Sequence, residues 1–136
     1  MRRGLVAVVA SGVLAGCSAA NDIPAAERGI AQFHQQLNAG AFDAIYSASG
    51  PEMKATTKQP ELASFLAAVH RKLGDFQSGK TLGWNENIGT NGHFVAINYV
   101  ATYARGVAQE GFAFRIDGGR AVLAGYHVNS NALILD

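Results

Sequence analysis

The chain has 136 residues, 49% of them hydrophobic and 15% charged, with a formal net charge of +1 and a single cysteine. That length holds one domain and leaves no room for separate cofactor and substrate domains. The apolar fraction excludes a disordered chain, and the near-zero charge excludes a protein built to capture nucleic acid electrostatically.

Met1, Arg2 and Arg3 form a short positive stretch, and Gly4 to Val13 is an apolar run as long as a signal-peptide core. Leu14-Ala15-Gly16-Cys17 follows. These four positions resemble the lipobox of bacterial lipoproteins, in which the cysteine thiol receives a diacylglyceryl group and a peptidase cuts just before it. Small residues at Ala15 and Gly16 let the backbone lie close in a protease site, and only a thiol at Cys17 can carry a thioether-linked lipid. As a membrane span the uncharged run is short and diluted by Ser11, Gly12, Gly16 and Ser18.

On this reading residues 1–16 are a lipoprotein signal peptide, with Leu14, Ala15 and Gly16 recognised by the signal peptidase. Cys17 is the lipidation site, residues 17–23 are a lipidated tether, and 24–136 form a single α+β domain. Loss of Arg2 and Arg3 with the signal lowers the formal charge by two, from +1 to −1. A lipid cap also accounts for one unpaired thiol in an exported chain. Acyl chains such as palmitate make the anchoring effectively permanent. Ser18 after the cysteine matches the Gram-negative sorting pattern that this resembles, which implies the periplasmic face of the outer membrane.

Asp22 and Pro24 look like a helix start, and Ile30, Phe33 and Leu37 recur at helical spacing until Asn38-Ala39-Gly40. A short second helix is predicted over Ala41 to Ser47, broken by Gly50-Pro51, with a polar connection from Glu52 to Lys58. Pro60 opens a third helix with the stripe Leu62, Phe65, Leu66, Val69 and Leu73, which Gly74 closes. From Phe76 the period changes to two. Leu82, Trp84 and Ile88 alternate with polar residues and glycine, as in a strand with one buried face.

Gly89-Thr90-Asn91-Gly92 is a turn, His93 to Tyr103 a strand, Arg105-Gly106 a second turn, and Gln109 to Ile116 a third strand. Asp117-Gly118-Gly119 turns into a last strand, Arg120 to Asn129, with Val122, Ala124, Tyr126 and Val128 on one face. Helices followed by a four-stranded antiparallel meander predict an α+β fold, the helices laid across one face of the sheet. Gly111 and Gly125 inside strands suggest bends, and a bent sheet around helices makes a cone.

The early helices, the Trp84 strand, Phe94 to Tyr103, Glu110-Gly111-Phe112-Ala113-Phe114 and Leu123-Ala124-Gly125-Tyr126-His127-Val128-Asn129 together resemble small bacterial lipoprotein domains of unknown function. Those belong to the cystatin-like cones of the nuclear-transport-factor-2-like superfamily. The resemblance implies a curved sheet with a mouth. It also raises isomerase or hydratase chemistry in that mouth, since the superfamily includes such enzymes.

Gly74-Asp75-Phe76-Gln77-Ser78-Gly79-Lys80-Thr81 matches the phosphate-binding pattern G-x-x-x-x-G-K-[ST]. The pattern works only between a buried strand and a following helix. A helix precedes this one and a strand follows it, so neither nucleotide nor any other cofactor is expected. His34, His70, His93 and His127 are far apart and form no metal-binding spacing, so no metal site is expected either. His34 and His70 read as residues at the edge of helix stripes.

Trp84, Tyr99, Glu110, Phe112, Phe114 and Tyr126 are the possible pocket residues. The aromatic ones read first as core filling. Glu110, Asp43, Tyr99 and Tyr103 are the groups that acid–base chemistry would use, but no spacing fixes a pair among them, so no catalytic residue is assigned. Glu110 reads as a solvated strand end paired with Arg105 or Arg120. The sequence therefore favours a lipid-anchored binding or accessory module, meeting an envelope protein or small ligand, over an enzyme or a purely structural component.

Overall fold

The computed structural model describes residues 18–135, so the Leu14-Ala15-Gly16-Cys17 segment lies outside the described residues. The elements run α1 (Ser18–Asn38), α2 (Phe42–Ala48), α3 (Pro51–Thr56), α4 (Gln59–Leu73), β1 (Phe76–Gly89), β2 (Gly92–Tyr103), β3 (Gly106–Asp117), β4 (Arg120–Asn129) and α5 (Asn131–Ile134). The strands form one antiparallel sheet in the order β1-β2-β3-β4, each paired with its neighbour in sequence. Two-residue turns join them. At the last turn Gly118 and Gly119 both have positive φ, +55° and +78°, the backbone that a tight primed hairpin turn demands.

The helices cover one face of the sheet. Ala26, Ile30, Phe33 and Leu37 of α1 and Leu62, Leu66, Val69 and Leu73 of α4 are buried against Val95, Ile97, Ala101, Phe112, Phe114 and Leu123 of the strands. Asn38 ties the end of α1 to the start of β1. Its side-chain amide donates to the Phe76 carbonyl at 3.0 Å, and its oxygen accepts from the Phe76 N–H at 2.8 Å.

Four sequence expectations are corrected here. The cone is the first: the sheet is open, with β1 and β4 as its two edges, and is neither curved nor closed. The resemblance to nuclear-transport-factor-2-like, cystatin-like cones fails with it. Gly111 and Gly125 do not bend the sheet around the helices. Gly111 keeps regular register between Asn98 and His127, and Gly125 pairs with Ala113 beside a one-residue bulge at Ala124.

That bulge is the second correction. It puts Leu123, not Val122 and Ala124, on the core face with Tyr126 and Val128. Third, the residues from Ser18 to Ile23, expected as a polar tether, are the first turns of α1, and Pro24 falls inside the helix. Fourth, the polar connection after Gly50 is largely helix α3. Pro51 occupies its first turn, where a missing N–H costs nothing, so the proline starts a helix as well as ending the previous one.

Candidate functional site

Two clusters of titratable side chains sit at opposite ends of the helix–sheet interface. The first is centred on Glu110 of β3, whose side chain is fully enclosed. His34 of α1 reaches Glu110 Oε1 through Nε2 at 2.8 Å. Tyr103 of β2 and Tyr126 of β4 donate their hydroxyls to Oε2 at 2.7 and 2.6 Å. The His34 ring stacks on Phe76 with centroids 3.7 Å apart, and Phe33 meets Phe112 edge-on at 5.2 Å.

Burial, and then the charge of Glu110, push both tyrosine hydroxyls well above the ordinary value of 10. They therefore remain hydrogen-bond donors throughout the physiological range. With Oε1 against His34, Oε2 accepting from both tyrosines and its side chain shut from solvent, Glu110 is a buried polar group held on all sides by partners. Glu110 is thus not a solvated strand end, and Arg105 and Arg120 are not its partners. Arg105 instead donates to the carbonyls of Lys72 and Arg71 at the end of α4. Nor is His34 a stripe-edge residue, since it is buried to 2% exposure.

The fold brings Tyr99, Glu110, Phe112, Phe114 and Tyr126 together as expected of a pocket set, but as packed core. Trp84 is separate: it lies on edge strand β1 and is 51% exposed. Tyr99 covers Gly79, where a Cβ would sit 2.4 Å from its ring, and burial raises its hydroxyl too. Asp43 is exposed and accepts from the Gln59 amide. The Gly74–Thr81 motif runs from the end of α4 into β1, so no helix N-terminus faces it.

The second cluster joins Asp22 of α1, Glu86 of β1 and His93 of β2. His93 Nε2 lies 2.5 Å from Glu86 Oε1 and 3.2 Å from Asp22 Oδ2. Burial raises the Asp22 carboxyl and the adjacent Glu86 adds to the effect, whereas the hydrogen bond from His93 lowers Glu86. Sequence reasoning missed this group. Glu86 and His93 flank the Gly89–Gly92 turn and could have been paired across a hairpin, but Asp22 comes from a helix more than sixty residues earlier.

Among the described residues no helix covers the outer face of the sheet around Asn98 and His127. Asn98, Gln109, His127 and Asn129 project from it around a shallow hollow of about 440 Å³, with Leu82 at its rim. The His127 ring lies flat over Gly111, where a Cβ would fall 1.8 Å from Cε1. Only a glycine admits the ring there.

Residues 31–118 match the family described as protein of unknown function (DUF3887), which spans α1 from its middle through the end of β3. The chain belongs to this family. The DUF3887 segment contains His34, Tyr103 and Glu110 of the first cluster and Glu86 and His93 of the second. Asp22 and Tyr126 lie outside it. No curated protein matches the chain.

Proposed function

We propose that this DUF3887 protein is a lipid-anchored binding module of the cell envelope that meets its partner with the outer face of the sheet. The observation that carries the reading is the enclosure of Glu110. The acidic side chain in the aromatic core is closed off by His34, Tyr103 and Tyr126, which favours a binding role over acid–base chemistry at Glu110. Polar side chains free to meet a partner lie on the other side, where Asn98, Gln109, His127 and Asn129 surround an open hollow. Amides offer both donors and acceptors, and so suit a polar partner surface. The anchor rests on Leu14-Ala15-Gly16-Cys17 and its flanks.

Photo-crosslinking residues placed at Asn98 and Gln109, in cells that express the protein natively, test the binding face. Discrete adducts are expected there and not at Ser64 on the exposed side of α4. Absence of adducts at the sheet positions, or equal labelling at Ser64, would overturn the reading. Radiolabelled palmitate should enter the wild type and not Cys17→Ala, and equal labelling of the two would remove the anchor.

A further inference from the structure

We infer that Asp22, Glu86 and His93 form a binding site for a divalent transition-metal ion, with Zn²⁺ the simplest occupant. Their ligand atoms lie within 4.8 Å of one another, and they arrive from three separate elements. Tetrahedral zinc with bonds of roughly 2.1 Å holds its ligands about 3.4 Å apart. The His93–Asp22 distance of 3.2 Å is close to that spacing, and the His93–Glu86 distance of 2.5 Å must widen by roughly 0.9 Å through side-chain rotation.

The second observation is an orphan. Asp22 is 6% exposed, and its Oδ2 accepts no hydrogen bond although it points at His93 Nε2. His93 Nε2 pairs with Glu86 Oε1, and a single ring nitrogen cannot also serve Asp22. Left so, burial and the neighbouring Glu86 hold the Asp22 carboxyl towards its protonated form, a costly state for a buried acid beside a second carboxylate. A dication resolves it: two carboxylates and one neutral imidazole balance a charge of two, and every inward-facing atom becomes a ligand.

The donor set selects the metal class. An imidazole favours Zn²⁺ and its first-row neighbours over Mg²⁺ and Ca²⁺, which prefer oxygen throughout. Three protein ligands leave a fourth position for water or for a donor from a bound molecule. Because the ligands span α1 and the β1–β2 hairpin, the ion would also clasp the start of the first helix to the sheet.

The test uses the full-length chain extracted in detergent, stripped with chelator and titrated with ZnCl₂ by calorimetry. One equivalent should bind in the wild type. His93→Gln and Asp22→Asn should each weaken binding at least about tenfold while keeping the wild-type far-ultraviolet circular dichroism. Zn²⁺ should raise the Tm of the wild type and not of the variants, and Co²⁺ should give visible absorption bands that the variants lose. If Asp22→Asn does not fold, Glu86→Gln on the partly exposed strand gives the same reading. Failure of the wild type to bind saturably, or binding unchanged in the variants, would overturn the site.

Discussion

Tyr103 and Tyr126 both donate to Glu110 Oε2, so each hydroxyl solvates a carboxylate that water cannot reach. Tyr103→Phe should lower stability by about 1.5–3 kcal/mol, the usual worth of a hydrogen bond to a charged group, measured by urea unfolding at neutral pH. The same residues set an alkaline limit. Their folded-state pKa values lie above the unfolded value of 10, so the folded state holds protons that the unfolded state releases. Their contribution to stability is therefore level below about pH 10 and falls as pH rises beyond it. Tyr103→Phe should make that fall shallower while lowering the plateau, a pairing that urea midpoints across the alkaline range would reveal.

A second residue-scale test concerns helix–sheet approach. A Cβ at Gly29 of α1 would lie 2.7 Å from the Phe114 ring, which is itself buried. Gly29→Ala should thus destabilise by about 1–3 kcal/mol through overpacking, although alanine is the better helix former by about 1 kcal/mol. Gly29→Ala combined with Phe114→Leu should recover part of the loss. Additive losses in a double-mutant cycle would show that the two do not press on each other.

Elements differ in how far local pattern determines their environment. The stripe Ile30, Phe33, Leu37 is buried as its spacing predicts, because α1 runs across the middle of the sheet. Strand β1 departs from the expected single buried face: a bulge between Thr81 and Gly83 takes Leu82 out of phase with Trp84 and Ile88, and all three are exposed. Trp84 sits opposite the buried Ile97 on the helix-facing side, yet Trp84 and Ile88 are 51% and 66% exposed because β1 is an edge strand with thin cover beyond α1. Alternation reports which face a side chain takes, and the neighbouring element decides whether that face is covered. Trp84→Ala should accordingly cost less than about 1 kcal/mol, and acrylamide should quench Trp84 fluorescence in the native state as it does in urea. A native emission shielded from acrylamide would show that this edge is covered in solution.

Bulges set the second limit on legibility. The extra residue at Ala124 shifts the phase of β4 by one, and nothing in Val122-Leu123-Ala124-Gly125 marks it beyond the glycine. The candidate site was harder to read for a different reason. His34 and Glu110 are 76 positions apart, and each is surrounded by residues that read as an amphipathic edge or a strand end. Their partnership depends on the rotation of α1 over β3, which no window of local sequence contains. The helix-then-meander order was legible, since the turns Gly89–Gly92, Arg105-Gly106 and Gly118-Gly119 punctuate it.

At the scale of the whole molecule, the helices seal one face of the sheet around an aromatic core and leave the other open. The two titratable clusters mark the two ends of α1, separated by twelve residues of helix or about 18 Å. Glu110 and its donors lock the register of α1 against three strands. The Asp22 group fixes the beginning of that helix to the first hairpin. The fold and the proposed binding face are thereby separate: substitutions at Asn98 or Gln109 should leave the stability from urea unfolding within about 0.5 kcal/mol of wild type while removing any crosslinked adducts at that face.

The strictly sequential pairing of the strands has a kinetic meaning. Each strand finds its partner across a loop of two residues, so chain closure costs little for any of the three hairpins, and the slow search is left to the docking of α1 on the finished sheet. The tight turn at Gly118-Gly119, already shaped by two positive φ angles, is the natural place for zippering to begin. Gly119→Ala strains that turn. If the β3–β4 hairpin is part of the folding nucleus, the variant should refold several-fold more slowly in stopped-flow fluorescence while its unfolding limb stays close to that of the wild type.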